Sequence, residues 1–164
     1  MPTAEKRDFK QLDLLYSCLK ATRAFCDIFL NIPAQQYLSF SMLTWSHLRC
    51  AIVALQQLSV FEDPDWSKAY VQETLDFLWV LDQLVERLNK AVAEANFDEN
   101  HIFARAAIKI GRAKEYCEVR MTAPSASTKS DGSEYPDPDF FNDIWFQDVF
   151  ERFDYEFNTS MPDV

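Results

Sequence analysis

Four carboxylates in the middle of the chain are the first residues whose spacing could support catalysis. Asp63 and Asp65 flank Pro64, while Glu73 and Asp76 stand one helical turn apart. Carboxylates grouped in this way can bind a divalent cation or transfer a proton. A metal-dependent lyase on a helical scaffold needs a dense aspartate run such as DDxxD, and the chain has no such run. The spacing therefore favours helix caps and solvated first-turn acids.

The two histidines are the remaining candidates for general acid–base catalysis. His47 lies beside the apolar stripe of a predicted helix, and His101 lies in the polar start of another. Neither is accompanied by a recognisable nucleophile or partner acid. Both are interpreted as structural, so the sequence predicts no catalytic residue and no enzyme.

The four cysteines do not have the spacing of a metal site. Cys18 and Cys26 are about two helical turns apart, and His47 and Cys50 are one turn apart. No CxxC pair or zinc-finger spacing occurs, and three of the cysteines lie in apolar runs, which is typical of buried reduced thiols. Only two glycines are present, which excludes glycine-rich phosphate loops. We expect no metal and no cofactor.

Aromatic side chains carry two binding hypotheses. A pocket for a small apolar ligand could be lined by Trp66 together with Phe25, Trp45 and Trp79, the last three being its predicted boundary, although such rings on amphipathic helices usually form core. Residues 140–153, FFNDIWFQDVFERF, place six aromatic side chains among three acids and one base. Aromatic residues in an acidic segment can bind apolar grooves of coactivators, while the carboxylates keep them solvated. The predicted partner-binding residues are Phe140, Phe141, Ile144, Trp145, Phe146, Phe150 and Phe153.

The net charge of −10 lies almost entirely at one end of the chain. From Glu134 onward there are nine acids and one base, whereas residues 1–133 hold seventeen acids and fifteen bases. Neither part has the basic footprint of a protein that binds the phosphate backbone, so the chain is not expected to bind DNA by itself. No apolar run is long enough to span a membrane and no signal peptide opens the chain, which predicts an intracellular protein.

Apolar residues repeat at three-four intervals almost everywhere, which predicts an all-α fold. Four main antiparallel helices form the expected bundle, and a short acidic aromatic helix follows near residues 138–153. The main helices are expected at residues 8–32, from Ser39 or Ser41 to 59, at 65–95, and at 98–121. Each is predicted to bury one apolar stripe: Leu12, Leu15, Leu19, Thr22, Cys26 and Phe29 in the first; Trp45, Leu48, Ile52, Leu55 and Leu58 in the second; Val71, Leu75, Leu78, Leu81, Val85, Leu88 and Val92 in the third; and Ile102, Ala106, Ile110, Ala113 and Cys117 in the fourth.

Three residue types predict where these helices begin and end. Pro33 should end the first helix, since proline cannot continue the hydrogen-bond ladder. Ser41 should cap the second helix, and Asp63 or Asp65 should cap the third. Residues 122–138 are rich in Pro, Ser and Asp and are predicted to form a polar linker. The predicted domains are a helical bundle (1–121), this linker, and an acidic aromatic tail (139–164).

Residues 29–66 resemble a signature of the C-terminal regulatory region of fungal zinc binuclear cluster (Zn(2)-C6 type) transcription factors. The matching features are Phe29, Leu30, Ile32, Pro33, Tyr37, Phe40, Ser41, Trp45, Leu48, the run Ala51 to Leu58, and the stretch Asp63-Pro64-Asp65-Trp66. As in that family, a leucine-rich helix, the segment Phe103-Ala104-Arg105-Ala106, a polar linker and an acidic end follow. The chain departs from the family in lacking the six-cysteine DNA-binding cluster and its basic region.

The resemblance implies a transcription regulator, either a fragment or a relative without the DNA-binding end. It predicts a regulatory and activation module that binds a coactivator or another protein in the nucleus, with the cytoplasm as a second location. A helical sensor of a small apolar ligand is the alternative, and an enzyme on a helical scaffold comes third. A homodimer and a small apolar effector are left open.

Overall fold

A computed structural model describes the backbone of residues 5–122 and the side chains of residues 9–119. Every regular element in this range is helical, which confirms the predicted all-α class. The elements in chain order are α1 (Glu5–Asn31), a 3₁₀ helix (Ala34–Ser39), α2 (Met42–Val60), α3 (Lys68–Thr74), α4 (Phe77–Glu94) and α5 (Ile102–Thr122). None of these described helices is both long enough and apolar enough to cross a membrane. The predicted linker and C-terminal helix lie outside the described residues.

The predicted boundary between the first two helices is confirmed. Pro33 follows the end of α1 and becomes the N-cap of the 3₁₀ helix, with φ −56° and ψ 139°. Ser41 is extended and caps α2, since its Oγ accepts the backbone N–H of Thr44 at 3.4 Å. The connection between α1 and α2 is therefore bounded by Pro33, which cannot continue a helix, and by Ser41, which caps the next one.

The predicted third helix, residues 65–95, is wrong as a single element because it is two helices. Leu75, just after α3, has extended backbone with φ −156° and ψ 105°. Asp76 then starts α4, because its Oδ1 accepts the backbone N–H of Leu78 at 2.9 Å and that of Trp79 at 3.3 Å. The apolar repeat continues across this break, so periodicity alone cannot reveal it.

The buried face of α4 agrees with the predicted stripe at Leu81 and Leu88 and differs from it at the other positions. Leu78, Val85 and Val92 were expected in the core, but each is only half-buried. One extended residue changes the angle at which the following helix starts, and other side chains turn inward. The buried face of α4 consists of Phe77, Val80, Leu81, Leu84, Leu88 and Ala91.

The predicted aspartate cap of the third helix is wrong, because Ser67 caps α3 instead. Its Oγ accepts the backbone N–H of Tyr70 at 3.2 Å. Asp63 turns its Oδ1 to the backbone N–H of Asp65 at 2.9 Å, which closes a local side-chain turn before the helix begins.

Residues 1–83 form one compact unit, in which α1, α2 and α3 contact each other. The predicted stripes of the first two helices supply its core. The buried members are Leu19, Thr22, Cys26 and Phe29 of α1 and Trp45, Leu48, Ile52, Leu55 and Leu58 of α2.

Residues 84–164 form the second unit, whose described part holds the end of α4 and all of α5. Asn96 has φ 55°, the left-handed conformation that asparagine tolerates after a helix. His101 stacks on Phe97 with ring centroids 3.7 Å apart, and its Nδ1 accepts the backbone N–H of Phe103. The predicted inner face of α5 is confirmed; its residues are Ile102, Ala106, Ile110, Ala113 and Cys117.

Candidate functional site

Four rings of the signature region converge on one aromatic cluster. Its members come from the end of α1, the 3₁₀ helix and the start of α2, and they are Phe29, Tyr37, Phe40 and Trp45. Every pair of these rings has centroids between 4.9 and 6.0 Å apart. Aromatic pairs at this separation and tilt contribute about 0.5–1.5 kcal/mol beyond their burial. The cluster therefore fixes the chain reversal between α1 and α2.

Tyr37 anchors this cluster with a polar contact. Its side chain is fully buried, and its hydroxyl donates to the backbone carbonyl of Phe29 at 3.1 Å. The carbonyl lies near the end of α1, where a helix leaves its last acceptors without intrahelical donors. The hydroxyl satisfies one of them.

Trp66 anchors the loop between α2 and α3 in a similar way. Its indole Nε1 donates to the backbone carbonyl of Leu58 at 3.0 Å, and its ring lies 4.7 Å from that of Tyr16. The side chain is buried although the loop residues around it are exposed. The Asp63-Pro64-Asp65-Trp66 stretch thus has a structural role: it ties the loop to α1 and α2.

An open groove of about 530 Å³ lies along the same loop. Three of its lining residues are apolar and three are charged; they are Phe61, Pro64, Trp66, Glu62, Asp63 and Lys68. Lys68 Nζ donates to Glu62 Oε1 at 2.8 Å, and this contact lowers the pKa of the exposed Glu62 carboxyl. The sequence predicts Trp66 as a candidate pocket residue but predicts no groove at this loop, because Asp63 is interpreted there only as a helix cap.

The three aromatic residues predicted to bound an apolar pocket lie in different surroundings. Phe25 stacks on Phe29 at 5.9 Å, and Phe29 in turn contacts Trp45. Trp79 lies near the start of α4 with 49% of its side chain exposed, and among the described residues it makes no ring contact with Phe25 or Trp45. The Trp45 ring packs against the other three rings of the cluster.

The groups considered for catalysis are engaged in local structure or point to solvent. His47 is exposed on α2, Glu73 is exposed on α3, and Asp76 caps α4. Burial, with a smaller effect from the charge of Asp27, raises the pKa of Cys26 to about 11. Within residues 5–122 no three His, Cys, Asp or Glu side chains come together as metal ligands.

The predicted partner-binding residues lie outside the part of the chain that the structure describes. They are Phe140, Phe141, Ile144, Trp145, Phe146, Phe150 and Phe153.

Comparison with known proteins identifies one matching family and two similar fungal proteins. Residues 34–161 match the model of the ATEG07667_C family, described as a C-terminal domain. The chain is 33% identical to transcription factor opdL of Penicillium oxalicum over 79 residues, which cover 48% of this chain and 14% of that protein. It is 24% identical to a transcription factor of Aspergillus terreus over 133 residues, or 80% of this chain and 22% of that protein.

No solved structure matches the chain. The matched segments span less than a quarter of the length of these two relatives. The family match covers the aromatic cluster from Tyr37 onward, the Trp66 loop, all later helices and the acidic aromatic segment. The chain therefore belongs to the ATEG07667_C family, described as a C-terminal domain, and is similar to part of two fungal proteins named as transcription factors.

Proposed function

We propose that the chain is the regulatory and activation module of a fungal transcription factor, and that it acts by binding another protein rather than by catalysis. The observation that carries this proposal is the family match over residues 34–161, because it joins the helical part and the acidic aromatic segment in one C-terminal domain. Both relatives are named as transcription factors. The proposed site of action is the nucleus.

The described residues support a scaffold role for the helical part. Its signature rings pack against one another, and Trp66 holds the following loop against α1 and α2. The thiol of Cys26 is buried and its pKa is raised, which makes it a poor nucleophile. These features stabilise a fold and do not assemble a nucleophile, a base and an orienting group.

The acidic aromatic segment supplies the proposed contact with a coactivator. Phe141, Trp145 and Phe150 carry large apolar surfaces, which dominate binding when an apolar groove buries them. The surrounding carboxylates raise the rate of encounter with a basic partner, and salt screens this effect over about 8–10 Å. Direct DNA contact is assigned to the remaining length of such transcription factors, since residues 1–133 are nearly neutral.

A reporter assay tests the proposal. Residues 134–164 are fused to an unrelated DNA-binding domain, and transcription from its target promoter is measured. We expect activation that is lost when Phe141, Trp145 and Phe150 are replaced by Ala, because the apolar contact carries the affinity. The matched charge variant, Asp143→Asn with Asp148→Asn and Glu151→Gln, should lose less activity.

Two outcomes would contradict the proposal. A fusion that leaves the reporter silent would show that the segment has no activation function. A fusion whose activity survives the loss of all three aromatic side chains would show that the rings are not the contact.

A further inference from the structure

One face of α5 carries a basic and apolar stripe that the proposed function does not use. Its members recur at spacings of three and four residues, which places them on one side of the helix. This α5 stripe consists of Arg105, Ile108, Lys109, Arg112, Tyr116 and Val119. The opposite side of α5 is the buried face already described.

The α5 stripe combines exposed apolar surface with positive charge. Ile108 is 51% exposed, Val119 is 69% exposed, and Tyr116 and Arg112 are also exposed. Residues 105–114, RAAIKIGRAK, contain four bases and no acid; Arg105, Lys109 and Arg112 lie on the stripe and Lys114 lies outside it, while Glu115 and Glu118 follow in the sequence. In a chain with a net charge of −10, this is a local concentration of the opposite sign.

The acidic aromatic segment of the same chain has the complementary chemistry. Residues 138–153 contain large aromatic side chains together with Asp139, Asp143, Asp148 and Glu151, against the single base Arg152. Rings can cover exposed apolar side chains while the acids pair with arginine and lysine. Positive and negative surfaces that meet in this way favour one register over others.

The lengths of the segments allow this contact. Arg105 to Val119 spans about 21 Å of helix, and a helix over residues 138–153 would be about 24 Å long. Residues 123–137, which follow the end of α5, could extend to about 50 Å. The segment can therefore fold back along the helix that precedes it.

We infer that residues 138–153 dock on the α5 stripe of the same chain. This inference rests on the proposed function, because the docked segment is the one that would bind a coactivator. Because the segment and α5 belong to one chain, the effective concentration of the segment near α5 is on the order of 1 mM, so a weak contact suffices to occupy the stripe. Docking hides the aromatic side chains, and a partner must displace them from α5 before activation occurs.

A peptide-binding experiment tests the docking. The full chain carrying Phe141→Ala, Trp145→Ala and Phe150→Ala is titrated against a fluorescent peptide of residues 138–153, and the anisotropy is measured. We expect saturable binding that is at least about fivefold tighter than binding to the unsubstituted chain, whose own segment competes. Absence of binding to the substituted chain would overturn the inference.

Charge reversal on α5 identifies the surface. In the same tail-substituted chain, Lys109→Glu with Arg112→Glu should weaken peptide binding about tenfold at low salt, because two pairing charges become repulsive. Ile108→Ser tests the apolar part and should weaken binding independently of salt. The matched control is Lys10→Glu with Lys20→Glu on α1, where both side chains are exposed.

Three results would overturn the docking surface. In the first, the control reversal on α1 weakens peptide binding as much as the α5 reversal does, which would indicate only a general charge effect. In the second, both α5 variants bind the peptide with unchanged affinity while circular dichroism shows intact helices. The α5 reversal could instead dissociate a dimer in sedimentation, which would make the stripe an interface between two copies.

A reporter arm separates this inference from the proposed function. The full chain with the α5 reversal, fused to a DNA-binding domain, should activate transcription several-fold more than the unsubstituted chain. If peptide binding behaves as expected but residues 134–164 alone are inert, docking holds and the activation function fails. If residues 134–164 activate but the peptide does not bind, the activation function holds and docking fails.

Discussion

At the scale of single residues, the aromatic side chains of the signature region act through packing and a few directed hydrogen bonds. Tyr37 lies in the centre of its cluster and donates its hydroxyl to the end of α1. Trp66 does the same for the end of α2 through its indole nitrogen. The sequence pattern in residues 29–66 therefore encodes two loop anchors rather than a reactive centre.

Removing one of these hydrogen bonds gives a direct test. We expect Tyr37→Phe to lower the free energy of unfolding by about 0.5–1.5 kcal/mol, because the buried carbonyl of Phe29 loses one of its two donors and keeps only the backbone N–H of Ile32. Tyr70→Phe is the matched control, because Tyr70 is exposed, and it should change stability by less than about 0.5 kcal/mol. Urea unfolding followed by circular dichroism measures both. Equal effects of the two substitutions would show that the Tyr37 hydroxyl is not an anchor.

The cysteines give a second test at this scale. Burial raises the pKa of Cys26 to about 11, so at pH 8 about one thiol in a thousand is the reactive thiolate. Cys117 is also buried, whereas Cys18 and Cys50 are exposed. A chromogenic disulfide reagent should modify the exposed thiols of Cys18 and Cys50 rapidly. It should modify the buried thiols of Cys26 and Cys117 only after unfolding. Rapid modification of all four in the folded chain would contradict the described burial.

At the scale of elements, the apolar spacing predicted helices well and helix breaks poorly. The inner faces of α2 and α5 follow directly from their repeats, Pro33 follows the end of α1, and Ser41 caps the start of α2 as their chemistry requires. The break before α4 was missed because its apolar repeat runs through Leu75 without interruption. Only the capping side chain of Asp76 identifies the break in the sequence. An aspartate within a long pattern of polar and apolar residues can equally be an exposed helical residue, so it does not predict a cap by itself.

The same limits apply to the candidate sites. Phe25 and Trp45 each contact the ring of Phe29, whereas Trp79 is exposed near the start of α4, and the sequence spacing does not distinguish these surroundings. The α5 stripe was not assigned as a surface, although residues 105–114 show its charge. Apolar residues on an outer face become recognisable only when the inner face is known.

The cap that starts α4 can be tested by two related substitutions. Asp76→Ala should destabilise the chain by about 1 kcal/mol, because two backbone N–H groups lose their acceptor. Asp76→Asn keeps a capping oxygen and should be nearly neutral. Thermal unfolding monitored by circular dichroism compares the two variants. If the Asp76→Ala and Asp76→Asn variants have the same melting temperature, the side-chain cap does not define the start of α4.

At the scale of the whole molecule, charge and apolar surface are divided between the helical part and the acidic end. Residues 1–133 are nearly neutral, and the remaining residues carry most of the negative charge together with many aromatic side chains. The family match spans both parts, so they belong to one C-terminal domain. Within that domain we assign stability to the helices and partner binding to the acidic segment.

The central claim is that the aromatic residues of the acidic segment serve binding rather than the stability of the helical part. The most direct measurement compares the full chain with its Phe141→Ala, Trp145→Ala, Phe150→Ala variant, both fused to an unrelated DNA-binding domain. We predict that reporter activity is lost while the free energy of unfolding of the 164-residue chain changes by less than about 1 kcal/mol. Retained activity, or a fall of several kcal/mol as expected for the loss of buried rings, would contradict the account.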